Sequence, residues 1–179
     1  MTATAPGRTI ALVGLMGAGK STIGRRLAVQ LGMPFRDADA EIETAAGRSV
    51  SDIFQQFGEK AFRDGERRVI ARLLDAPPHV LATGGGAFVN DETRALINAR
   101  AISVWLKADL EVLARRVSRR DTRPLLVGKD PMEVLRAQAA ARHDLYAEAH
   151  IIVETGDASH QSAVDAIIAA LAQRMVASP

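Results

Sequence analysis

The 179-residue sequence contains no cysteine, which excludes structural disulfides, thiolate zinc sites and a thiol nucleophile. No apolar run approaches membrane-spanning length, and Met1 to Arg8 is too short and too weakly apolar for a signal or transit peptide. A soluble cytoplasmic protein is therefore the expectation. An excess of charge is also missing: 23 basic against 21 acidic residues leave a net charge of +2, which by itself gives no argument for nucleic acid. His79, His143, His150 and His160 are not at zinc-ligand spacing and read as structural or exposed. There is no internal repeat and no linker, and 47% hydrophobic residues over this length predict one domain, 1–179, with a well-buried core.

What is present begins at Thr9. The apolar run Ile10-Ala11-Leu12-Val13 leads into Gly14-Leu15-Met16-Gly17-Ala18-Gly19-Lys20-Ser21, and a helix-patterned segment follows. The eight loop residues match G-x-x-x-x-G-K-[ST] and lie between a strand and a helix, as a nucleotide-binding P-loop requires. Glycines let the backbone curl so that successive N–H groups face phosphate oxygens, and the helix offers its partly positive N-terminus to the same anion. In this pattern Lys20 reaches the β- and γ-phosphates and Ser21 ligates Mg²⁺.

The next elements place carboxylates and arginines around that loop. A helix over Lys20 to Leu31 has Ile23, Leu27 and Leu31 on one face, with Gly32 as its stop. The short strand Phe35 to Asp39 ends in two acids, and ligands of open α/β sheets bind beyond the carboxyl ends of strands. Continued strand would put Asp37 and Asp39 on one face. A turn after Asp37 would instead divide them between metal and substrate, and Asp39 could also serve simply as the cap of a helix over Ala40 to Ala46. A long helix from Ile53 to Asp75, broken at Gly58, carries Phe54, Phe57 and Phe62 for a core and an Arg63–Glu66 pair whose common fate is solvent. This insertion is longer than a simple crossover.

A buried strand, His79 to Thr83, runs into Gly84-Gly85-Gly86. It ends without the acid that many P-loop ATPases place there for Mg²⁺, which makes Asp37 the candidate, and its glycines allow close approach of a ligand or form a flexible turn. Asn90 or Asp91 caps a helix over Glu92 to Asn98, Ala101 to Leu106 forms a fourth strand, and Asp109 caps a helix through Val117. Ser118 to Asp130 is a charged, aperiodic loop, either an active-site lid or a disordered segment, or, with Arg115, Arg116, Arg119, Arg120 and Arg123 gathered, an RNA-binding patch. The absence of interleaved aromatics disfavours RNA. Pro131 opens a helix through Ala149, His150 to Glu154 is a fifth strand, and Ser159 or Ser162 begins a last helix with Val164, Ile167, Ile168, Leu171 and Met175 toward the core. The alternation of strand and helix implies a parallel sheet covered on both faces.

Taken together, the P-loop, Asp37-x-Asp39, Phe57-Gly58-Glu59-Lys60-Ala61-Phe62-Arg63 and Gly84-Gly85-Gly86 resemble shikimate kinase, as do Arg123-Pro124-Leu125-Leu126 in the lid and Arg142 with Leu145-Tyr146. The likeness runs from about Thr9 to Ala170. It implies a three-layer α/β/α P-loop kinase fold with a five-stranded parallel sheet ordered 2-3-1-4-5, an acceptor-binding insertion over about 39–75 and a lid over about 118–130. It further implies a monomer that uses ATP and Mg²⁺ to phosphorylate the 3-hydroxyl of shikimate, with no nucleic acid or membrane partner. By this resemblance Gly17, Ala18, Gly19, Lys20, Ser21 and Thr22 hold the ATP phosphates and Arg116 stacks on adenine. Ser21 and Asp37 hold the metal, the aspartate directly or through water. Asp39 holds the reacting end of the acceptor, Arg63 and Arg142 its carboxylate, and Gly84, Gly85 and Gly86 its backbone contacts. Lys20 and Arg123 neutralise phosphoryl charge, so Lys20, Asp39 and Arg123 are the catalytic set. A proline that contacts adenine in some members has no counterpart in Thr155 to His160. Gluconate kinase is the nearest alternative, and a nucleotide-dependent switch lacks support because no Asn-Lys-x-Asp is present.

Overall fold

The computed structural model describes residues 5–119, 126 and 128–177. Five strands, β1 (Thr9–Val13), β2 (Phe35–Asp37), β3 (Val80–Ala82), β4 (Ala101–Ala108) and β5 (Ile151–Thr155), form one parallel sheet in the order β2-β3-β1-β4-β5. Among the described residues the helices are α1 (Lys20–Leu31), α2 (Ala38–Ala46), α3 (Val50–Leu74), α4 (Asp91–Arg100), α5 (Leu110–Ser118), α6 (Pro131–Tyr146) and α7 (His160–Ala177), and Ala87–Val89 forms a 3₁₀ turn. Every residue of β1 and β3 is buried, as are the first six of β4, the mark of a sheet covered on both faces. β5, at an edge, alternates buried and exposed instead.

α1 spans the expected residues, and its stripe of Ile23, Leu27 and Leu31 is buried against the sheet. Burial of each such side chain is worth roughly 1.5–3 kcal/mol. Gly32 ends the helix in the left-handed conformation, where its N–H reaches back to the carbonyls of Ala28 and Val29.

Several boundaries differ from the sequence reading for local reasons. β2 ends at Asp37, two residues early, because that carboxylate accepts from the backbone N–H of Asp39 and Ala40 and so caps α2. Asp37, not Asp39, is the cap. α3 starts at Val50 rather than Ile53 because Ser49 accepts from Asp52 N–H. Asp109 occupies the cap position of α5 without a side-chain capping bond. α6 stops at Tyr146, short of Ala149.

Two core assignments are also corrected. Phe62 is buried, and Ile42, Ile53 and Phe62 form a small second core between α2 and α3 with Phe54 packed against it. Phe57 is 58% exposed, because Gly58 interrupts α3 with φ 81° and ψ 174° and turns the preceding residue away. In α7, Val164, Ile167 and Leu171 are buried, whereas Met175 near the helix end is 45% exposed.

Candidate active site

The loop joining β1 to α1 is shaped by glycines that have no substitute. Gly14, Gly17 and Gly19 have φ of 144°, 80° and 87°, a region costly for any residue with a Cβ. At Gly14 a Cβ would also lie 2.8 Å from Leu106 O. Gly19 stands at the N-cap of α1 and supplies no side-chain cap, and no acid occupies the helix's first turn. The first backbone N–H groups of α1 thus lack the usual side-chain acceptor, which is the condition for anion binding at a helix start. Lys20 is 9% exposed and donates from Nζ to Gly14 O at 2.8 Å and Leu15 O at 2.9 Å. Its ammonium is therefore carried on the loop itself.

Beside the loop, Ser21 Oγ donates to Asp37 Oδ2 at 2.6 Å. Asp37 Oδ1 is occupied with the start of α2, so a single carboxylate fixes both the helix and the serine. The turn after Asp37 carries Asp39 away to Gly84. An atom at the Cβ position of Gly84 would sit 2.9 Å from both Asp39 Oδ1 and Glu66 Oε2. The triple glycine is closely approached by side chains: at Gly86 a Cβ would overlap the Arg63 guanidinium.

Arg63 donates to Glu66 Oε1 at 2.9 Å, and Glu66 is buried, so this pair is not the solvated one expected from its spacing. Burial pushes the Glu66 carboxyl above its ordinary range; Arg63 opposes that rise and the charge of Asp39 adds to it. On the far side, Arg142 Nη1 donates to Gly85 O at 3.0 Å and Tyr146 Oη to the same oxygen at 2.6 Å. Burial raises the Tyr146 hydroxyl, against the pull of Arg142 and Arg63, so it remains a donor at neutral pH.

A cleft of about 460 Å³ unites much of the expected set. Gly17, Gly19, Lys20, Ser21 and Thr22 line one part; Asp37, Asp39, Gly84 and Gly85 line another. Ala18 is buried beneath the loop. Gly86, Arg63 and Arg142 do not line that cleft; Arg63 adjoins Gly86 and Arg142 donates to Gly85 O. Arg116 lines the opposite end, donating to Gly17 O and Gly156 O at 3.2 Å each. Arg123 and most of the expected lid lie outside the described residues. Among the described residues no group of three or more acidic or histidine side chains could hold a metal.

Sequence reasoning missed His160, Arg119 and Thr83, which also line the cleft. The His160 ring packs against Gly19, and burial, aided by Arg116 and Arg26, lowers its pKa and so favours the neutral ring. The burial of Glu66 had a legible signal: it stands four residues from Phe62 and from Ile70, in the apolar stripe of α3.

A parallel sheet in this order, with a P-loop leaving its central strand toward a helix, is the P-loop kinase fold, and the chain is a phosphotransferase of that class. The shikimate kinase profile matches residues 16–172. The chain belongs to the shikimate kinase family. It is 71% identical over 166 residues to a shikimate kinase of Caulobacter vibrioides, covering 93% of this chain and 83% of that protein. The shikimate kinase of Acinetobacter baumannii, solved in complex with shikimate, superposes with a TM-score of 0.91 at 38% identity over 96% of each chain. A gluconokinase from Sinorhizobium meliloti has a TM-score of 0.64 at 20% identity, with 94% of each chain covered, and shares the fold alone.

Proposed function

We propose that this cleft transfers the γ-phosphoryl group of ATP to the 3-hydroxyl of shikimate, giving shikimate 3-phosphate and ADP. The observation that carries the reading is the arrangement of the cleft: an uncapped, glycine-shaped helix start with Lys20 and Ser21 at one part, and at another Asp39, Gly84 and Gly85, next to which Arg63 and Arg142 contact Gly86 and Gly85. A phosphate donor and a small carboxylate acceptor each meet complementary groups there.

Gly17 to Thr22 hold the phosphates, with Lys20 on the β- and γ-oxygens and Arg116 against the base. Ser21 and Asp37 would hold Mg²⁺; their adjacent hydroxyl and carboxylate oxygens suit an ion that takes only one or two protein ligands. When bound, Mg²⁺ would supply positive charge to offset the negative charge that develops on the transferring phosphoryl group. Arg63 and Arg142 hold the shikimate carboxylate, and Gly84, Gly85 and Gly86 let the acceptor approach the backbone. Asp39 holds the 3-hydroxyl in line and takes its proton as the new O–P bond forms and the bond to ADP breaks. Phosphoryl transfer passes through a loose transition state, so alignment and charge neutralisation outweigh base strength. Lys20 supplies part of that neutralisation and Arg123, from the lid, supplies more while closure excludes water.

Residues 39–75 act as the acceptor-binding insertion and about 118–130 as the lid of a single kinase domain. Among the described residues no helix is long and apolar enough to cross a membrane. The enzyme works as a monomer on small molecules in the cytoplasm. An ADP-release assay with Mg-ATP tests the reading across shikimate, gluconate and nucleoside monophosphates. Turnover is expected with shikimate alone, and no shikimate-dependent turnover would sink the proposal.

A further inference from the structure

The outer side of α2 and α3 holds a second hollow, of about 600 Å³, that phosphoryl transfer does not use. Its α3 wall is one helix face: Ala61, Gly65, Arg68 and Arg72 follow at intervals of four, three and four. α2 contributes Ile42 and Ala45. Gly65 opens the floor. It is helical, and a Cβ there would meet nothing within 4 Å, so no close neighbour demands a glycine in a position where glycine weakens a helix.

The edge of the hollow is cationic, and of its three arginines only Arg72 has a carboxylate partner among the described residues. Arg48 is held by the neutral amide of Gln56 and lies 5.2 Å from the centroid of the exposed Phe57 ring. Arg68 makes no hydrogen bond or ion pair among the described residues. Arg72 shares the single carboxylate of Glu41 with Arg36, and no lining residue is acidic. Glu43, nearby, is engaged with the Val50 N–H at 2.9 Å. An apolar hollow of small-molecule size with guanidinium groups at its edge complements a planar anion: a ring fills the hollow and a carboxylate meets an arginine fork.

We infer that this hollow is a second ligand site, for a small aromatic carboxylate, separate from the phosphoryl-transfer cleft. Phe62 lines it, and the Arg63 guanidinium lies 5.1 Å from that ring's centroid. The site is thus built on the helix that carries an arginine of the acceptor wall, one residue away.

The test is a titration of the full chain, saturated with shikimate and ADP, with 3-phenylpropanoate and with uncharged 3-phenylpropanamide, followed by amide NMR shifts. Saturable shifts along α2 and α3 are expected, with Kd on the order of 1 mM for so small a probe. The amide should bind about tenfold more weakly or worse. Gly65→Leu, which fills the floor, and Arg68→Glu, which reverses the edge charge, should each weaken binding by about tenfold or more. Neither residue lines the phosphoryl-transfer cleft, and because both lie in the acceptor-binding insertion, far-UV circular dichroism and thermal unfolding of both variants, not turnover, verify folding independently of the probe. Equal binding of the amide, shifts confined to the cleft, or undiminished binding in both variants would overturn the assignment. So would shifts along α2 and α3 that follow protein concentration without any probe, since these would mark a second copy of the chain as the occupant.

Discussion

Glu66 lies beneath Arg63 with 2% of its surface exposed; its Oε1 accepts from Arg63 Nη1 at 2.9 Å, while Oε2 has no hydrogen-bond partner among the described residues. A half-satisfied buried carboxylate raises the energy of its charged form. This agrees with the upward shift of its pKa, caused first by burial and only partly offset by Arg63.

That shift has a defined sign in stability. A carboxyl whose pKa is higher in the folded chain contributes stability fully at pH below its unfolded value, and loses the contribution as pH rises through the folded value. For Glu66 the loss begins near the ordinary 4.5 and runs upward. Urea unfolding of the wild type and Glu66→Gln, over about pH 4 to pH 7, should therefore show the stability difference moving in favour of the variant as pH rises. A difference that stays constant across that range would contradict the assignment.

Asp37 offers a separation of roles, because its two oxygens do different things. Asp37→Asn keeps a residue that caps helices well but removes the negative charge beside Ser21. Stability should stay close to wild type, while kcat/KM for Mg-ATP should fall on the order of 10- to 100-fold. Asp37→Ala should show the same kinetic loss plus about 1 kcal/mol of lost stability from the missing cap. Thermal unfolding and steady-state kinetics on both variants check this; equal stability of the two would show that the cap contributes nothing.

The legible parts of this chain were those where a local rule admits one solution. Gly14, Gly17 and Gly19 at positive φ, the α1 stripe and the Gly32 stop depend on neighbours within a few positions, so residue type and spacing were enough. Where two local rules competed, the outcome needed the structure: the chain could continue as strand to Asp39 or turn after Asp37, and it turns, with Asp37 both ending β2 and capping α2. The wall behind the glycines was the hardest to read. Tyr146 and Arg142 reach Gly85 O across 61 and 57 residues, and no periodicity carries a contact of that range. His160 escaped for the same reason, since only the packing of α7 beside α1 brings it to Gly19.

Arg63 and Arg123 should fail in different ways. Arg63 stands against Gly86 and Glu66 and is proposed to hold the acceptor carboxylate, so Arg63→Ala should raise the shikimate KM with little change in ATP affinity. Arg123 belongs to the sequence segment proposed as the lid, and Arg123→Ala should lower kcat on the order of 10³-fold, as loss of a charge-stabilising arginine does in phosphoryl transfer, while shikimate binding measured by calorimetry stays near wild type. An unchanged KM in the first variant, or lost shikimate affinity with kcat intact in the second, would refute the respective role.

Two glycines of α3, seven positions apart, should respond in opposite directions to the same substitution. Gly58 has φ 81° and ψ 174°, a conformation essentially restricted to glycine and worth on the order of 1–3 kcal/mol of strain for other residues. The space around it is open, so backbone conformation alone decides, and Gly58→Ala should destabilise the chain by about that amount. Gly65 is helical with open space at its Cβ position. Gly65→Ala should instead stabilise by about 0.4–1 kcal/mol, chiefly by restricting the unfolded chain. Denaturant midpoints of the two variants at constant m-value measure both effects. A destabilising Gly65→Ala would mean that the hollow beside α3 closes on that position in solution.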